Sequence, residues 1–536
     1  MNNEHKGRLT GAALDSTAPF VLPFSPDPWG VLRPPVSVEA LQMSAELASA
    51  VYRMDLEDWM QAGWTDVTVQ LEDDLVPLTE KQGRFASLRS KHILASRLGK
   101  AHPVRQALDT LRQIDTSTTG KAAVMIHPAP DGRYVVAVSF MGTGSRLSDW
   151  VSNLRLTAQD GIHKGFLQLT RQFESNEDRI LFPETAKQLQ LERLSLRDIL
   201  KEMRHPNSRF QLWLSGHSQG AALMQLYAHC KLQEDGVQMR HLMGYGFAAP
   251  SVMTGGATVA PAAYPLYLVQ CSEDVVTRCG GHVHLGVCLT YPADDALRSA
   301  CYPLDHQPLA CRARQVVRPL FALMQDTPSC IECAIALLSV LSHSGEEDLR
   351  AALESMGIPL VGKALDAGYI QQILRAITRR ASAAYQSWSG KPLSQQRIAM
   401  IAQGILPGLK QIGMKAYFHA MVEMFRFPHS IAGSHPGGFT GTYIWIAQNG
   451  ISRLQPSVWA GGDRPFRMAP PEDVTQDTIT LTGPAYMRRH RTKLPRRPAR
   501  KPHKPMTPPR RNTRRAIPEL LHGSLQAGET MVRIRE

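Results

Sequence analysis

The sequence predicts an α/β fold in which a mainly parallel central sheet carries a large helical insertion or cap. Three observations support this fold class. Between about residues 116 and 310, strand-like and helix-like segments alternate, a pattern typical of parallel sheets covered by helices. Between residues 311 and 427, Leu, Ala and Met recur at helical spacing, which predicts helices alone. After residue 465 the apolar period is lost.

The strands of the core are expected where apolar and β-branched residues run together. Tyr134–Phe140 is such a run, with Gly142 just beyond it, and this composition predicts a strand that is buried on both faces. The further strand candidates are Phe210–Leu214, His241–Phe247, Tyr264–Gln270 and Leu285–Tyr291. Amphipathic or Ala-rich segments predict helices at Leu189–Met203 and Ala221–Leu232.

Six regions are expected along the chain. They are an irregular arm rich in Pro and Gly (1–35), a helical region (36–115), the α/β core (116–310), the helical cap (311–427), a return segment (428–465) and a low-order tail (466–536). Within the cap, the helical segments are Gln315–Met324, Ile331–Leu341 and Ile398–Met424. Because proline is tolerated in the first turn of a helix, the first of these helices is expected to begin at Pro319.

The net charge of +13 comes from one segment of the tail. Residues 488–515 hold 13 Lys or Arg and no Asp or Glu, and the rest of the chain is formally neutral. A Pro-rich block of like charge predicts disorder. The block is either a solubilising tail or a peripheral contact with anionic membrane lipids. Nucleic-acid binding is not favoured, because few aromatic residues interleave with the arginines.

Eight cysteines in 536 residues do not indicate a disulfide-dense scaffold. Cys330-x-x-Cys333 precedes an apolar run, and no second Cys or His pair lies at zinc spacing. We therefore interpret these two cysteines as small apolar helix residues, and we expect no metal and no cofactor.

No signal for membrane insertion or secretion is recognisable in the sequence. The first 35 residues lack the continuous apolar core of a secretory signal, as prolines interrupt it. No run reaches the roughly 18 to 20 apolar residues that span a bilayer. A cytoplasmic location is therefore the expectation, with non-classical export left open.

The strongest functional signal is the pentapeptide Gly216-His-Ser-Gln-Gly220, which lies between a predicted strand and a predicted helix. On a sharp strand-to-helix turn, a serine is presented at the edge of the sheet, and the flanking glycines leave room for the turn. Ser218 is therefore the candidate nucleophile. The backbone N–H of Gln219 is a candidate donor to an oxyanion. The alternative is an unreactive serine that caps the helix.

The elbow and its neighbours resemble the class 3 (fungal-type) lipases of the α/β-hydrolase superfamily. Leu214–Leu223 is similar to that family's T-G-H-S-L-G-G-A-L, with Gln219 and Ala221 as departures. Four further segments resemble family motifs in the same order: Ser139–Thr143 (F-R-G-T/S, with Met141 for Arg), Asp149–Leu154 (D-W-x-x-D-L), Ile162–Leu167 (V-H-x-G-F) and Gly244–Pro250 (T-F-G-x-P). The resemblance covers about residues 118 to 295.

The resemblance implies an α/β-hydrolase-like fold and an acyl-ester hydrolase. It assigns the oxyanion hole to Thr143 and to the backbone N–H after the nucleophile. Asn153 stands where the family has an Asp that orients the hydroxyl at the Thr143 position. Trp150 would anchor a lid formed by Ser145–Ser152, or it is a buried core residue.

A serine nucleophile needs a base, and the base needs a carboxylate that orients it. The segment that follows the predicted strand Tyr264–Gln270 resembles the family's N-x-x-D-x-V-P, which puts Asp274 in the place of the acid. Glu273 is the second choice. A solvated loop carboxylate is the alternative for both.

The sequence leaves the base open. His429 and His435 lie together in a Gly- and Pro-rich loop that returns from the cap. His306 has roughly the family's spacing from the acid but precedes the cap. We favour the loop and do not choose between its two histidines.

The expected function is hydrolysis of lipid carboxylic esters through a Ser-Asp-His triad and an acyl-enzyme. A phospholipase of the A type is an alternative, and the helical cap favours a bulky acyl chain unless its apolar faces serve only helix packing. The alternative of another class is a catalytically decayed hydrolase fold that binds membranes or nucleic acid through the basic tail. The oligomeric state is not predicted.

Overall fold

The computed structural model describes the chain between residues 17 and 484 in the following stretches: 17–24, 36–52, 56–66, 122–142, 158–159, 161–253, 264–280, 283–302, 308–324, 327–342, 391–431, 440–456 and 478–484, with scattered cap residues between 344 and 389. The chain divides into two units, residues 1–487 and 488–536. The description below concerns the first unit, and the basic segment 488–515 lies outside the described residues.

Twelve strands are present in the described residues: β1 (Thr17–Pro23), β2 (Thr65–Asp66), β3 (Ala122–Pro128), β4 (Tyr134–Phe140), β5 (Ala158–Gln159), β6 (Ile162–His163), β7 (Phe210–His217), β8 (Leu242–Phe247), β9 (Leu266–Cys271), β10 (Val287–Tyr291), β11 (Gln455–Pro456) and β12 (Thr478–Pro484).

The α-helices of the described residues are α1 (Val38–Ala50), α2 (Glu57–Gln61), α3 (Lys164–Glu174), α4 (Pro183–Gln188), α5 (Leu196–Glu202), α6 (Gln219–Gln233), α7 (Asp295–Cys301), α8 (Pro308–Leu323), α9 (Thr327–Ser342), α10 (Gln395–Ile412), α11 (Met414–Arg426) and α12 (Thr442–Trp445). Short 3-10 helices span Met239–His241, Val275–Arg278 and Ile451–Arg453, and a π-helical turn spans Ile446–Gly450.

The central sheet has eight strands in the order β11-β10-β9-β8-β7-β4-β3-β2. The five strands from β10 to β4 are parallel to their neighbours, and the pairs at both ends are antiparallel. The mainly parallel α/β sheet that the sequence predicts is confirmed. Its parallel strands end at one edge, where ligand sites of open α/β sheets lie.

Both faces of the sheet are covered, which explains the uninterrupted apolar runs of its strands. Along β7, Leu212 and Leu214 belong to an apolar cluster on one face, while Trp213 belongs to a cluster on the other face. Helices α3, α5 and α6 contribute to the first cluster. Helix α1 contributes to the second cluster.

In the part that the structure describes, the cap region contains the helices α8 to α11 and scattered helical residues between 374 and 389. Their buried residues form an apolar cluster of their own, which Val275 of the core also joins. The prediction of helices alone in this region is confirmed for its described residues. None of the helices described is both long enough and apolar enough to cross a bilayer.

Two regions expected to lack regular structure contain paired strands. β1 lies in the irregular arm predicted for residues 1–35, and β12 lies in the low-order tail predicted for residues 466–536. The two strands pair antiparallel, from Thr17 opposite Pro484 to Pro23 opposite Thr478. Each segment finds its backbone partners more than 450 residues away, and a local periodicity does not reveal such a pairing.

Two predicted helices have different bounds in the structure. Leu189–Met203 is wrong in its first half, because α5 begins at Leu196 and Gln190 has a positive φ of 56°. Ser195 and Asp198 form a capping box that fixes this start. The Ser195 hydroxyl accepts the Asp198 backbone N–H, and the Asp198 carboxylate accepts the Ser195 backbone N–H. In the cap, α8 begins at Pro308 and continues through Pro319, so Pro319 is not its first residue.

Candidate active site

Ser218 occupies a strained turn between β7 and α6. Its φ of 59° and ψ of −129° lie outside the regions that non-glycine residues ordinarily adopt. The Ser218 backbone N–H donates to the carbonyl oxygen of Phe247 on β8 at 2.9 Å. The residue is 2% exposed, and it precedes a helix whose free N–H groups favour negative charge.

Two glycines, one in this turn and one just after β4, lie too close to neighbouring backbone to carry a side chain. A Cβ on Gly220 would collide with the carbonyl oxygen of Phe140, at the end of β4. A Cβ on Gly142 would lie 2.5 Å from the carbonyl oxygen of His217, closer than real Cβ contacts. The end of β4 and the elbow therefore approach each other closely.

Asp274 caps the 3-10 helix that follows β9, and its carboxylate is 1% exposed. Oδ1 accepts the backbone N–H of Val276 at 3.0 Å. Oδ2 accepts the hydroxyl of Tyr443 at 2.7 Å. A buried carboxylate needs such donors, because burial of an unpaired charge is costly.

His429 is hydrogen-bonded to Asp274 and is 7% exposed. Its Nδ1 lies 2.9 Å from Oδ2 and 3.1 Å from Oδ1 of the carboxylate. A carboxylate only accepts hydrogen bonds, so Nδ1 of the neutral ring carries the proton and Nε2 is the basic nitrogen. This is the tautomer that a general base beside a serine needs.

The loop that carries His429 is fastened at its base by helix α12. The Thr442 backbone N–H donates to the Ser430 hydroxyl at 3.1 Å, and the Tyr443 backbone N–H donates to the Ser430 carbonyl at 3.0 Å. The Thr442 hydroxyl donates to the Phe427 carbonyl at 2.7 Å. These bonds fix the backbone on both sides of His429.

His217, the residue before the serine, connects the His429 backbone to the N-terminal region. Its Nε2 lies 2.7 Å from the carbonyl oxygen of His429, and its Nδ1 lies 2.7 Å from the hydroxyl of Tyr52. The carbonyl only accepts, so Nε2 carries the proton and Nδ1 accepts the Tyr52 hydroxyl proton. The Gly142 backbone in turn hydrogen-bonds the Tyr52 oxygen.

Burial controls the ionisation of this chain of groups. Burial, with His429 nearby, holds the pKa of His217 well below its ordinary value. Burial also raises the pKa of Tyr52, and burial together with the Asp274 charge raises that of Tyr443 well above its ordinary value. All three side chains are therefore neutral at pH 7, and the hydrogen-bond directions given above hold there.

Glu273, the second choice for the acid, binds arginines instead of a histidine. It accepts from Arg298 at 2.7 Å and from Arg314 of α8 at 3.1 Å. Its carboxylate therefore connects the core to the cap.

The remaining sequence candidates divide into two groups. Gln219 is the first residue of α6 and is buried beside Ser218, so its backbone N–H belongs to the first turn, which faces the elbow. The others lie outside the described residues: Thr143, Trp150, Asn153, His306 and His435.

Sequence reasoning did not single out Tyr52, His217 or Tyr443 for a role. His217 belongs to the serine pentapeptide and Tyr443 follows the histidine loop, but no local pattern indicates what either side chain contacts. Tyr52 lies 165 residues from His217, in a helical region without a motif. Within the described residues, no group of three or more His, Cys, Asp or Glu could hold a metal ion.

Comparison with protein families gives one match for this chain. Residues 137–283 match the model of Lipase (class 3), which confirms the resemblance that the motifs predict. The match contains Ser218 and Asp274 and ends before the cap. No curated protein matches the sequence.

Solved structures that resemble the chain include three fungal lipases. The native propeptide complex of Rhizomucor miehei lipase is 18% identical, with 33% of this chain and 54% of that chain covered and a TM-score of 0.24. Lipase II from Rhizopus niveus is 19% identical, with 33% and 63% covered and a TM-score of 0.23. Lipase from Rhizopus microsporus var. chinensis is 15% identical, with 53% and 86% covered and a TM-score of 0.27. The chain thus spans about half of the Rhizomucor enzyme and less than two thirds of the Rhizopus niveus enzyme.

Proposed function

Because residues 137–283 match the model of Lipase (class 3), we propose that this chain hydrolyses carboxylic ester bonds of lipids. Ser218 is the nucleophile, His429 the base and Asp274 the carboxylate that orients the base. The observation that carries the proposal is the hydrogen bond between His429 and Asp274, which joins residues 155 positions apart beside the elbow. The ring centroids of His429 and of His217, next to Ser218, are 4.8 Å apart.

The proposed reaction proceeds through an acyl-enzyme. His429 Nε2 accepts the Ser218 proton as Oγ attacks the ester carbonyl, and a tetrahedral oxyanion forms. The Gln219 N–H donates to the oxyanion, with Thr143 as the second donor. The protonated His429 then gives its proton to the leaving alcohol. Water, deprotonated by His429, attacks the acyl-enzyme, and His429 returns this proton to Ser218 Oγ as the acid leaves.

His429 is preferred over His435 and His306 as the base. Its Nδ1 is bound by the Asp274 carboxylate, and its carbonyl oxygen accepts from His217. A base held on the ring and on the backbone has little freedom to leave its catalytic orientation. The other two histidines remain alternatives that substitution tests directly.

The substrate class is tested with a panel of esters. Short soluble esters, triacylglycerols and phospholipids are assayed with the parent protein and with Ser218→Ala. We expect turnover of at least one class by the parent and a loss of about 10³-fold or more in kcat in the variant. Activity that survives in Ser218→Ala would overturn the proposal. Turnover of phospholipid but not triacylglycerol would identify a phospholipase.

The basic segment 488–515 remains a predicted contact with anionic membranes. Deletion of the residues after Tyr486 tests it, with liposomes that contain or lack anionic lipid. Unchanged liposome binding would leave the segment as a solubilising tail. If the parent hydrolyses no ester while the tail still binds liposomes, the chain is a decayed hydrolase fold that acts as a membrane-binding protein.

A further inference from the structure

Two cysteines meet where the cap contacts the segment that follows Asp274. We propose that Cys279 and Cys330 are an oxidation site, at which a disulfide ties the cap to the α/β core. The proposal goes beyond ester hydrolysis and does not depend on it.

The two sulfur atoms are already close. The Sγ atoms of Cys279 and Cys330 lie 3.6 Å apart, although the residues are 51 positions apart in the chain. Cys279 follows the 3-10 helix Val275–Arg278, and Cys330 lies in the first turn of α9. A disulfide requires a separation of about 2.05 Å, so the sulfurs need to approach by only about 1.5 Å.

Exposure distinguishes this pair from the other cysteines whose side chains are described. Cys279 and Cys330 are partly exposed residues, so they are the pair that an oxidant in solution is expected to reach. The remaining five are buried: Cys230, Cys271, Cys288, Cys301 and Cys333. Thiol–disulfide exchange depends on access to the sulfur as well as on its ionisation.

The C-x-x-C spacing would suggest Cys333 as the partner of Cys330, but the structure favours Cys279. Cys333 is 0% exposed and belongs to the apolar cluster of the cap. Burial raises the pKa of its thiol to about 12, so the reactive thiolate is scarce at pH 7. The interpretation of Cys333 as an apolar helix residue therefore stands, while Cys330 faces the core.

The contacts around the pair hold cap and core in register. Arg314 of α8 binds Glu273 at 3.1 Å. The guanidinium of Arg278 donates to the carbonyl oxygen of Met324 at 3.2 Å, and Val275 packs into the apolar cluster of the cap. These contacts surround the short segment 273–279, so the thiols meet at a defined junction and not by a chance approach of two loops.

Cys279, which lies in the core, is held by hydrogen bonds to its backbone. The carbonyl oxygen of Cys279 accepts both the backbone N–H and the hydroxyl of Ser251, each at 2.9 Å. The approach of the two sulfurs is therefore expected to come from α9, and the backbone that carries Asp274 keeps its position. The disulfide should stabilise the cap and leave hydrolysis of a short ester unchanged within about twofold.

The oxidation needs a disulfide oxidant of low molecular weight. The thiolate of one cysteine attacks the oxidant, forms a mixed disulfide and releases one thiol. The thiolate of the other cysteine then attacks the protein sulfur of the mixed disulfide and displaces the second thiol. Two electrons pass from the protein to the oxidant, and the two protons lost by the cysteines appear on the released thiols.

The test uses the full chain with oxidised glutathione as the probe. We expect the loss of two thiols, a link between the tryptic peptides that carry Cys279 and Cys330 under non-reducing mass spectrometry, and a rise in Tm of roughly 5 °C that dithiothreitol reverses. Cys279→Ser and Cys330→Ser should each abolish the link and the Tm rise. Cys333→Ser is the matched control on the same helix and should keep the link.

Three results would overturn the proposal. They are a disulfide between Cys330 and Cys333, glutathione that stays on both cysteines without a protein disulfide, and unreacted thiols at a glutathione ratio that oxidises an exposed dithiol. The readouts are thiol count, peptide linkage and Tm. A failure of the proposed hydrolysis would therefore leave these results unaffected and separately interpretable.

Discussion

At the scale of single residues, the buried Asp274 carboxylate is held by three donors, one of which is the His429 ring. The carboxylate accepts hydrogen bonds from the His429 ring, the Tyr443 hydroxyl and the Val276 N–H. Three donors compensate the desolvation of the charge. They also fix the direction in which the carboxylate holds the His429 ring, so the proposed base is oriented before any substrate binds.

Substitution of the two loop histidines tests this assignment of the base. His429→Ala should lower kcat by about 10³-fold or more, because the serine loses its proton acceptor. His435→Ala is the control from the same loop and should change kcat by less than about twofold. Equal losses in both variants, measured by steady-state kinetics on a short ester, would contradict the assignment.

At this scale the sequence predicted the residues that carry a local motif. Ser218 and Asp274 each follow a recognisable strand and a family pattern, so the sequence predicts a role for both. The sequence does not choose between His429, His435 and His306 as the base, because the hydrogen bond between His429 and Asp274 spans 155 residues. Tyr443 reaches the same carboxylate across 169 residues, and no local pattern indicates such a contact.

Among the elements, helix α1 supports the elbow strand from behind. The indole N–H of Trp213 donates to the Ser44 hydroxyl at 2.9 Å, and the Ser215 hydroxyl donates to the Ser44 carbonyl at 2.8 Å. Tyr52 follows α1 and reaches His217. The helix thus positions the tyrosine, and the tyrosine holds His217, which in turn binds the backbone of His429.

Tyr52→Phe tests whether this connection matters for the reaction. The variant removes the donor to His217 and the acceptor for the Gly142 backbone, and we expect kcat to fall about tenfold or more with KM unchanged. Tyr134→Phe is the control, because that hydroxyl donates only to Gln188 at the surface at 3.3 Å. A lower Tm with unchanged kcat in Tyr52→Phe would reduce the tyrosine to a structural role.

An element can be predicted from the sequence when the residues that stabilise it lie close together in the chain. β4 was predicted with its observed bounds, and β7, β8, β9 and β10 were located to within a few residues, since strands buried on both faces have continuous apolar runs. β1 and β12 were missed, as they pair with each other across the chain. The start of α5 was wrong because the Ser195 capping box outweighs the apolar period upstream.

At the scale of the first unit, the cap has an apolar cluster of its own, which meets the core around the segment that follows β9. Val275, the residue after Asp274, belongs to the cap's cluster although it lies in the core. Arg278 and Glu273 bond to the cap on either side of it. The sequence predicts a cap but not the contacts that attach it to the core. These contacts join two regions that are far apart in the chain and have different periodicities, so no local pattern indicates them.

Buried neutral histidines make the stability of the whole fold depend on pH. Burial lowers the pKa of His163 and His284 to about 4, and it lowers that of His217 as well. The unfolded chain therefore binds protons below about pH 6.5 that the folded chain does not. Stability is complete above that pH and is lost as the pH falls towards 4.

We expect the free energy of unfolding to fall by about 2 kcal/mol for each of His163 and His284 between pH 7 and pH 5. Urea unfolding at the two pH values measures it. His163→Gln should lower the pH dependence, because that ring accepts the Phe166 N–H at 3.3 Å only when Nδ1 is unprotonated. Equal or greater stability at pH 5 would contradict the account.

The most direct measurement of the central claim is covalent labelling with a p-nitrophenyl alkylphosphonate, which reacts with activated serines. Mass spectrometry of the parent protein should show one phosphonyl group on the peptide that contains Ser218, with one equivalent of p-nitrophenol released. Ser218→Ala should remain unlabelled, and His429→Ala should label far more slowly. A label on another residue, or an unlabelled parent protein, would contradict the assignment of Ser218 as the nucleophile.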